Sequence, residues 1–81
     1  MKATVLIRPK EGILDPQGEA VGEALRTLGF SVASARVGRL VDVELDDADP
    51  AEAQAALETM ARDLLANPLI ESFTIELEVV S

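Results

Sequence analysis

Four carboxylates sit at alternate positions of two separated segments, Asp42 and Glu44 in one, Glu76 and Glu78 in the other. Alternation in an extended chain turns such side chains to a single sheet face. Paired there, they could hold a divalent cation or divide into a general acid and a base. Either chemistry also requires a pocket and supporting groups that fix the ligands. Lys2 and Arg8 alternate on the neighbouring segment 2–8, and opposite charges paired across strands contribute ~0.2–1 kcal/mol each. The four carboxylates therefore read as a solvated face. Gly18 and Gly22 give a GxxxG spacing, but no Gly-rich phosphate loop of the Walker or dinucleotide type accompanies it. That spacing reads as close helix packing.

The chain has no Cys, His, Trp or Tyr. This removes disulfides, Cys/His zinc sites, imidazole acid–base chemistry, and Ser–His–Asp or Cys–His nucleophiles. Phe30 and Phe73 are the only aromatic residues, too few for a stacking platform on single-stranded nucleic acid. Fifteen acidic against seven basic residues give a net charge of −8, which a phosphate backbone repels. A self-sufficient enzyme and a nucleic-acid partner are both disfavoured.

The elements that would position these residues follow from periodicity. At 81 residues the chain is one domain, 1–81, with a hydrophobic share of 48%. A chain so short buries only ~60–65% of its unfolded surface, so association is the usual remedy. No apolar run is long enough for a membrane span or signal-peptide core, and nothing directs the chain out of the cytoplasm.

Residues 2–8 alternate Ala3, Val5 and Ile7 against polar neighbours, a half-buried strand. Asp15-Pro16 then supplies an N-cap with proline at the first helical position, and Ala20, Val21, Ala24, Leu25 and Leu28 form an apolar stripe ending at Gly29. Residues 30–37 and 40–46 read as two strands joined at Gly38-Arg39 by a type II′ turn. Asp49-Pro50-Ala51-Glu52 opens a second helix with the stripe Ala53, Ala56, Leu57, Met60, Ala61, Leu64 and Leu65. Asn67-Pro68 ends it, and Phe73, Ile75, Leu77 and Val79 alternate along a last strand.

The order βαββαβ predicts an α+β, ferredoxin-like sandwich: an antiparallel sheet with two helices on one face and strand order 4-1-3-2. That topology gathers loop 9–18, the turn at Gly38-Arg39 and the corner 64–68 at one pole, with Arg8, Lys10, Arg36 and Arg39. Asp46, Asp47 and Asp49 fall at the other. Residues 1–40 carry six bases and four acids; residues 41–81 carry one base and eleven acids. Such a dipolar surface favours oriented docking on a partner. Leu6, Val37 and Leu40 share the open sheet face and are candidates for a contact between copies of the chain.

Two segments, Pro9-Lys10-Glu11-Gly12-Ile13-Leu14-Asp15-Pro16-Gln17-Gly18 and Leu64-Leu65-Ala66-Asn67-Pro68-Leu69-Ile70-Glu71, stand with Gly29-Phe30 and Val37-Gly38-Arg39 between them. Together they closely resemble the small PurS-type subunit of phosphoribosylformylglycinamidine (FGAM) synthase, over essentially the whole chain. Arg39 replaces a more common lysine, and Ala61 stands where a cysteine often occurs. The resemblance implies a non-catalytic subunit in de novo purine biosynthesis, bridging a glutaminase that releases ammonia and a large synthetase. The synthetase would carry ATP and magnesium and install the ammonia on formylglycinamide ribonucleotide; no cofactor is expected on this chain. The resemblance also implies a homodimer or homotetramer, with C-terminal segments exchanged in some members. Lys10, Asp15, Gly38, Arg39, Asn67 and Pro68 are the partner-contact candidates. An ACT-like small-ligand module on the same topology is the alternative reading.

Overall fold

A computed structural model of the chain describes residues 1–46 and 49–78; Asp47 and Val79, both given places by the sequence, lie outside the described residues. Five elements follow in order: β1 (Lys2–Pro9), α1 (Pro16–Thr27), β2 (Arg39–Glu44), α2 (Pro50–Met60) and β3 (Glu71–Glu78). One wide π-type turn, Ala61–Leu65, continues α2. The sheet is antiparallel in the order β2-β1-β3, with Lys2 opposite Glu44 on one side and Glu78 on the other. In the numbering expected from sequence this is 4-1-3, so three strands take their predicted neighbours.

The core lies between β1 and α2. Ala3, Val5 and Ile7 alternate inward from the central strand and meet Leu57 of α2 and Ala61, one turn further on. Val41, Val43, Leu45, Phe73, Ile75 and Leu77 close the sides from the flanking strands. Burying a side chain such as Ile7 or Leu57 stabilises by ~1.5–3 kcal/mol. Asp49 opens α2 by accepting the Ala51 N–H at 3.0 Å, and Pro50 follows where its missing donor is not needed. At the far end of the sheet the Met1 ammonium donates to the Leu45 carbonyl at 2.9 Å, and Leu45 N–H returns a bond to Met1.

The first helix forms where expected and packs otherwise. Asp15 caps it through Gly18 N–H at 3.0 Å. Gly29 takes φ +98°, and the bonds Phe30 N–H to Leu25 and Gly29 N–H to Arg26 complete a Schellman end. Yet the only buried residues of α1 are Gly18 and Gly22, and none of its stripe joins the core. Val21, Leu28 and Phe30 are exposed. The sheet face is therefore covered by α2 alone, which corrects the expectation of two helices side by side on it.

The expected strand at 30–37 and its type II′ hairpin are also absent, because those backbone groups are engaged by α1. Asp15 takes the Val37 N–H at 2.9 Å, and Arg26 donates to the Val32 carbonyl at 2.9 Å. Ala35 lies against Gly18 and Gly22, so the GxxxG spacing serves close packing as predicted. Helix and return segment together form an arm off the sheet. The radius of gyration is 15.9 Å, against about 12 Å for a compact domain of this length. The α+β, ferredoxin-like class holds with its fourth strand replaced by this arm.

Candidate functional site

The pole predicted from topology forms. β1 ends, β2 begins and the turn after α2 closes within hydrogen-bond reach of one another. Lys10 N–H donates to the Ile70 carbonyl at 2.9 Å, and the Lys10 ammonium donates to the Pro68 carbonyl at 2.7 Å. Arg36 donates to the Pro9 carbonyl. Arg39 forms the brace: Nη1 meets Glu71 Oε2 at 2.7 Å, and Nη2 meets Glu71 Oε1 at 3.0 Å and the Leu65 carbonyl at 2.6 Å. A planar guanidinium fork suits this double contact better than an ammonium does, which gives arginine at this position a physical reason.

Asn67 sets the corner itself. Its N–H donates to Glu71 Oε1 at 2.8 Å, its side-chain oxygen accepts from Leu69 N–H at 3.2 Å, and its carbonyl accepts from Ile70 and Glu71. The Arg39 guanidinium, and after it the Asn67 N–H, hold the Glu71 carboxyl below the usual carboxylate range. The same pairing raises Arg39.

Asp15 links this pole to the arm. One oxygen caps α1 and the other holds Val37, so its carboxyl is depressed first by the Val37 N–H and next by the Gly18 N–H. Gly38 follows immediately. A Cβ there would fall inside contact distance of the Ile7 carbonyl oxygen, so the chain crosses the end of β1 only as glycine.

All six partner-contact candidates thus converge, and the polar groups of Lys10, Asp15, Arg39 and Asn67 are engaged within the chain. What the pole presents outward is apolar. Leu64 is 82% exposed, Leu69 83% and Leu14 73%, with Ile13 and Ile70 also exposed. A shallow groove of about 230 Å³ runs between Ile13, Leu14, Val37 and Ile70. Helical periodicity singles out none of these as exposed and puts Leu64 in the buried stripe. Ala66 N–H bonds back five residues to Ala61, and this wide turn swings Leu64 off the stripe. Glu71 was visible only as the end of a motif, although it anchors the corner.

On the open sheet face Leu6 lies opposite Leu40, which is 57% exposed, so these two candidates for a contact between copies do pair. Val37 belongs to the return segment and lines the groove instead, a consequence of the lost strand. Toward the other end, Lys2 sits between Glu44 and Glu78, and Thr4 donates to Asp42 at 2.8 Å. Among the described residues no three acidic side chains converge on a common metal position. The pole is a hydrogen-bonded backbone corner with exposed leucines, its Lys10 and Arg39 side chains engaged within the chain.

The family model described as PurS, phosphoribosylformylglycinamidine (FGAM) synthase, matches residues 2–79. The FGAM synthase subunit PurS of Archaeoglobus fulgidus is 43% identical over 79 residues, covering 93% of this chain and 95% of that one. Its counterpart in Methanocaldococcus jannaschii is 34% identical over 80 residues, with 98% and 96% covered. The crystal structure of the latter, described as one of the subunits of formylglycinamide ribonucleotide amidotransferase, superposes with a TM-score of 0.85. It covers 99% of this chain and 98% of its own at 33% identity.

Proposed function

Because this chain belongs to the PurS family of FGAM synthase subunits, an accessory component of purine biosynthesis, we propose that it joins a glutaminase and an ATP-dependent synthetase into one working complex. The match across residues 2–79 carries this reading. The chain supplies no imidazole or thiol for glutamine hydrolysis and no phosphate loop for ATP, so both half-reactions are assigned to the larger partners. ATP and magnesium belong to the synthetase in this reading. The accessory chain holds the two partners so that ammonia passes between them to formylglycinamide ribonucleotide. The complex operates in the cytoplasm, and no helix among the described residues is long and apolar enough to cross a membrane. Family membership leaves the ACT-like alternative without support.

The chain works as a homodimer or homotetramer. Val21, Leu28 and Phe30 on the arm, with Leu6 and Leu40 on the sheet, are the apolar surface that a second copy would cover. Reconstitution tests the whole reading. Glutamine-dependent FGAM formation by the two larger subunits should rise at least tenfold on adding this chain, while ammonia-dependent formation changes little. Equal glutamine-dependent rates with and without it would overturn the proposal.

A further inference from the structure

The open face of the sheet carries its charges in a fixed order along the strands. Strand register places Lys2 between Glu44 and Glu78 in the first row, and Thr4 between Asp42 and Glu76 in the second. Leu6 and Leu40 meet in the third row, and Arg8 stands in the fourth beside Ser72. Arg36 joins Arg8 there: it donates to the Pro9 carbonyl and lines, with Arg8, Leu6 and Leu40, a groove of about 450 Å³. Arg39 at the margin of this groove is already paired with Glu71. The face therefore runs from acids, through leucines, to two bases. Arg8 and Glu76 are exposed and make no hydrogen bond or ion pair among the described residues.

Two copies that meet through this face are related by a twofold axis lying between their sheets. Aligned sheets admit two such axes. An axis along the strands would set each row on itself, acid on acid and base on base, which repels. An axis across the strands at Leu6 sets leucines on leucines, and Arg8 and Arg36 of one copy on Asp42 and Glu76 of the other, twice by symmetry. We infer that the open sheet face is a self-complementary contact between two copies of this chain, its strands antiparallel across the contact and its register set by Arg8 against Asp42 and Glu76. The pattern that any other protein would have to supply is already present on a second copy. Four rows on three strands cover on the order of 300 Å² per copy, well below the ~800 Å² per partner of a standard interface. The contact is therefore reversible and dependent on charge, and the exposed stripe of the arm remains for a second one. The inference rests on the reading that copies of this chain associate, and adds to it the face, the axis and the charges that select it.

Sedimentation equilibrium of the whole chain at about 0.05 M and about 0.5 M salt tests this, because added salt screens exposed charges. The self-dissociation constant of the unsubstituted chain should rise severalfold between the two. At low salt Arg8→Glu and Glu76→Arg should each raise it at least tenfold. Both positions are exposed, so each variant should keep its melting temperature within a few degrees. Mixing the two variants restores one native contact in every mixed pair, so the mixture should associate severalfold more tightly than either variant alone. Arg8 and Glu76 lie two rows apart, roughly 14 Å, within one chain, so that recovery reports a contact between copies. Self-association that ignores both salt and Arg8→Glu would overturn the inference while leaving association through the arm standing. A mixture no tighter than its components would overturn the axis and register. Unchanged self-association with lost binding to the glutaminase or the synthetase would overturn it too, by giving the face to a non-identical subunit. An unsubstituted chain that stays monomeric at both salt concentrations would instead defeat the self-association reading itself.

Discussion

The two helices of this molecule are built alike and housed differently. Each opens on an aspartate followed by proline, and each carries an apolar stripe at helical spacing. In α2 the stripe closes the core, with Ala53, Leu57 and Ala61 buried against the sheet. In α1 it faces outward, and the buried positions are glycines pressed on the return segment. Periodicity states which face of a helix is apolar; it does not state whether the cover comes from the same chain. A stripe that remains open in a single chain, on an arm tied down by polar contacts, is the surface that the proposed contact between copies would cover.

The sharpest way to break this comparison is to truncate one leucine from each stripe. Leu57→Ala should destabilise the chain by ~2–5 kcal/mol, since Leu57 is fully buried and its neighbours close on it from both layers. Leu28→Ala should cost under ~0.5 kcal/mol in dilute solution while shifting the mass measured by light scattering. Similar losses of chemical stability for both, with no change in mass, would mean that α1 is covered by its own chain. Within the arm, the two glycines should diverge. Gly18→Ala sets a methyl group against the Ala35 carbonyl and the Asp15 carboxylate and should cost ~1–3 kcal/mol in a urea titration. Gly22→Ala has its nearest neighbours at 3.5 Å and gains helix propensity, so it should stabilise by up to ~1 kcal/mol.

The smallest effect separates the two carboxylate clasps, Asp15 at the arm and Glu71 at the corner. Both are depressed, Asp15 chiefly by the Val37 N–H and Glu71 chiefly by Arg39. Their stabilisation is therefore complete above the ordinary carboxylate range near about 4, and is lost as pH falls through the lower native values. Asp15→Asn and Glu71→Gln should each lower the melting temperature by a few degrees at neutral pH. Each gap from the unsubstituted chain should close in thermal melts taken below about pH 4. A gap that persists in acid would mean that the clasp acts through packing.

What was legible in the sequence was local or pairwise. The caps at Asp15 and Asp49, the stop at Gly29 and the inward alternation of Ala3, Val5 and Ile7 all rest on contacts within a few residues or on one shared core. The cationic pole was legible because right-handed connections leave few alternatives for where strand ends meet. Segment 30–37 was misread because its small and β-branched residues satisfy strand propensity. Its partners were decided instead by Asp15 and Arg26 reaching across 22 and 6 positions. Leu64 was misplaced for a different reason. One additional residue in the last helical turn shifts every later side chain around the axis, and a strict 3.6-residue period carries no warning of it. The exposure of Leu64 and Leu69 is not visible from composition, since leucines in a helical stripe and leucines on a braced corner are spelled identically.

The ladder at Lys2, with Glu44 on one side and Glu78 on the other, and the Met1–Leu45 exchange beside it, have a practical consequence. Positions 2 and 78 leave the sheet at the same end, opposite the braced corner. A chain tethered to a sensor surface near either position would hold the Leu64 and Leu69 corner away from that surface, and a fluorophore placed there would sit at the opposite end of the sheet from them. An amino-terminal extension would still be felt, because it converts an ammonium with three donors into an amide with one, next to the last rung of the sheet. For surface-binding measurements the carboxyl-terminal side is the handle that leaves both the Met1–Leu45 exchange and the exposed corner intact.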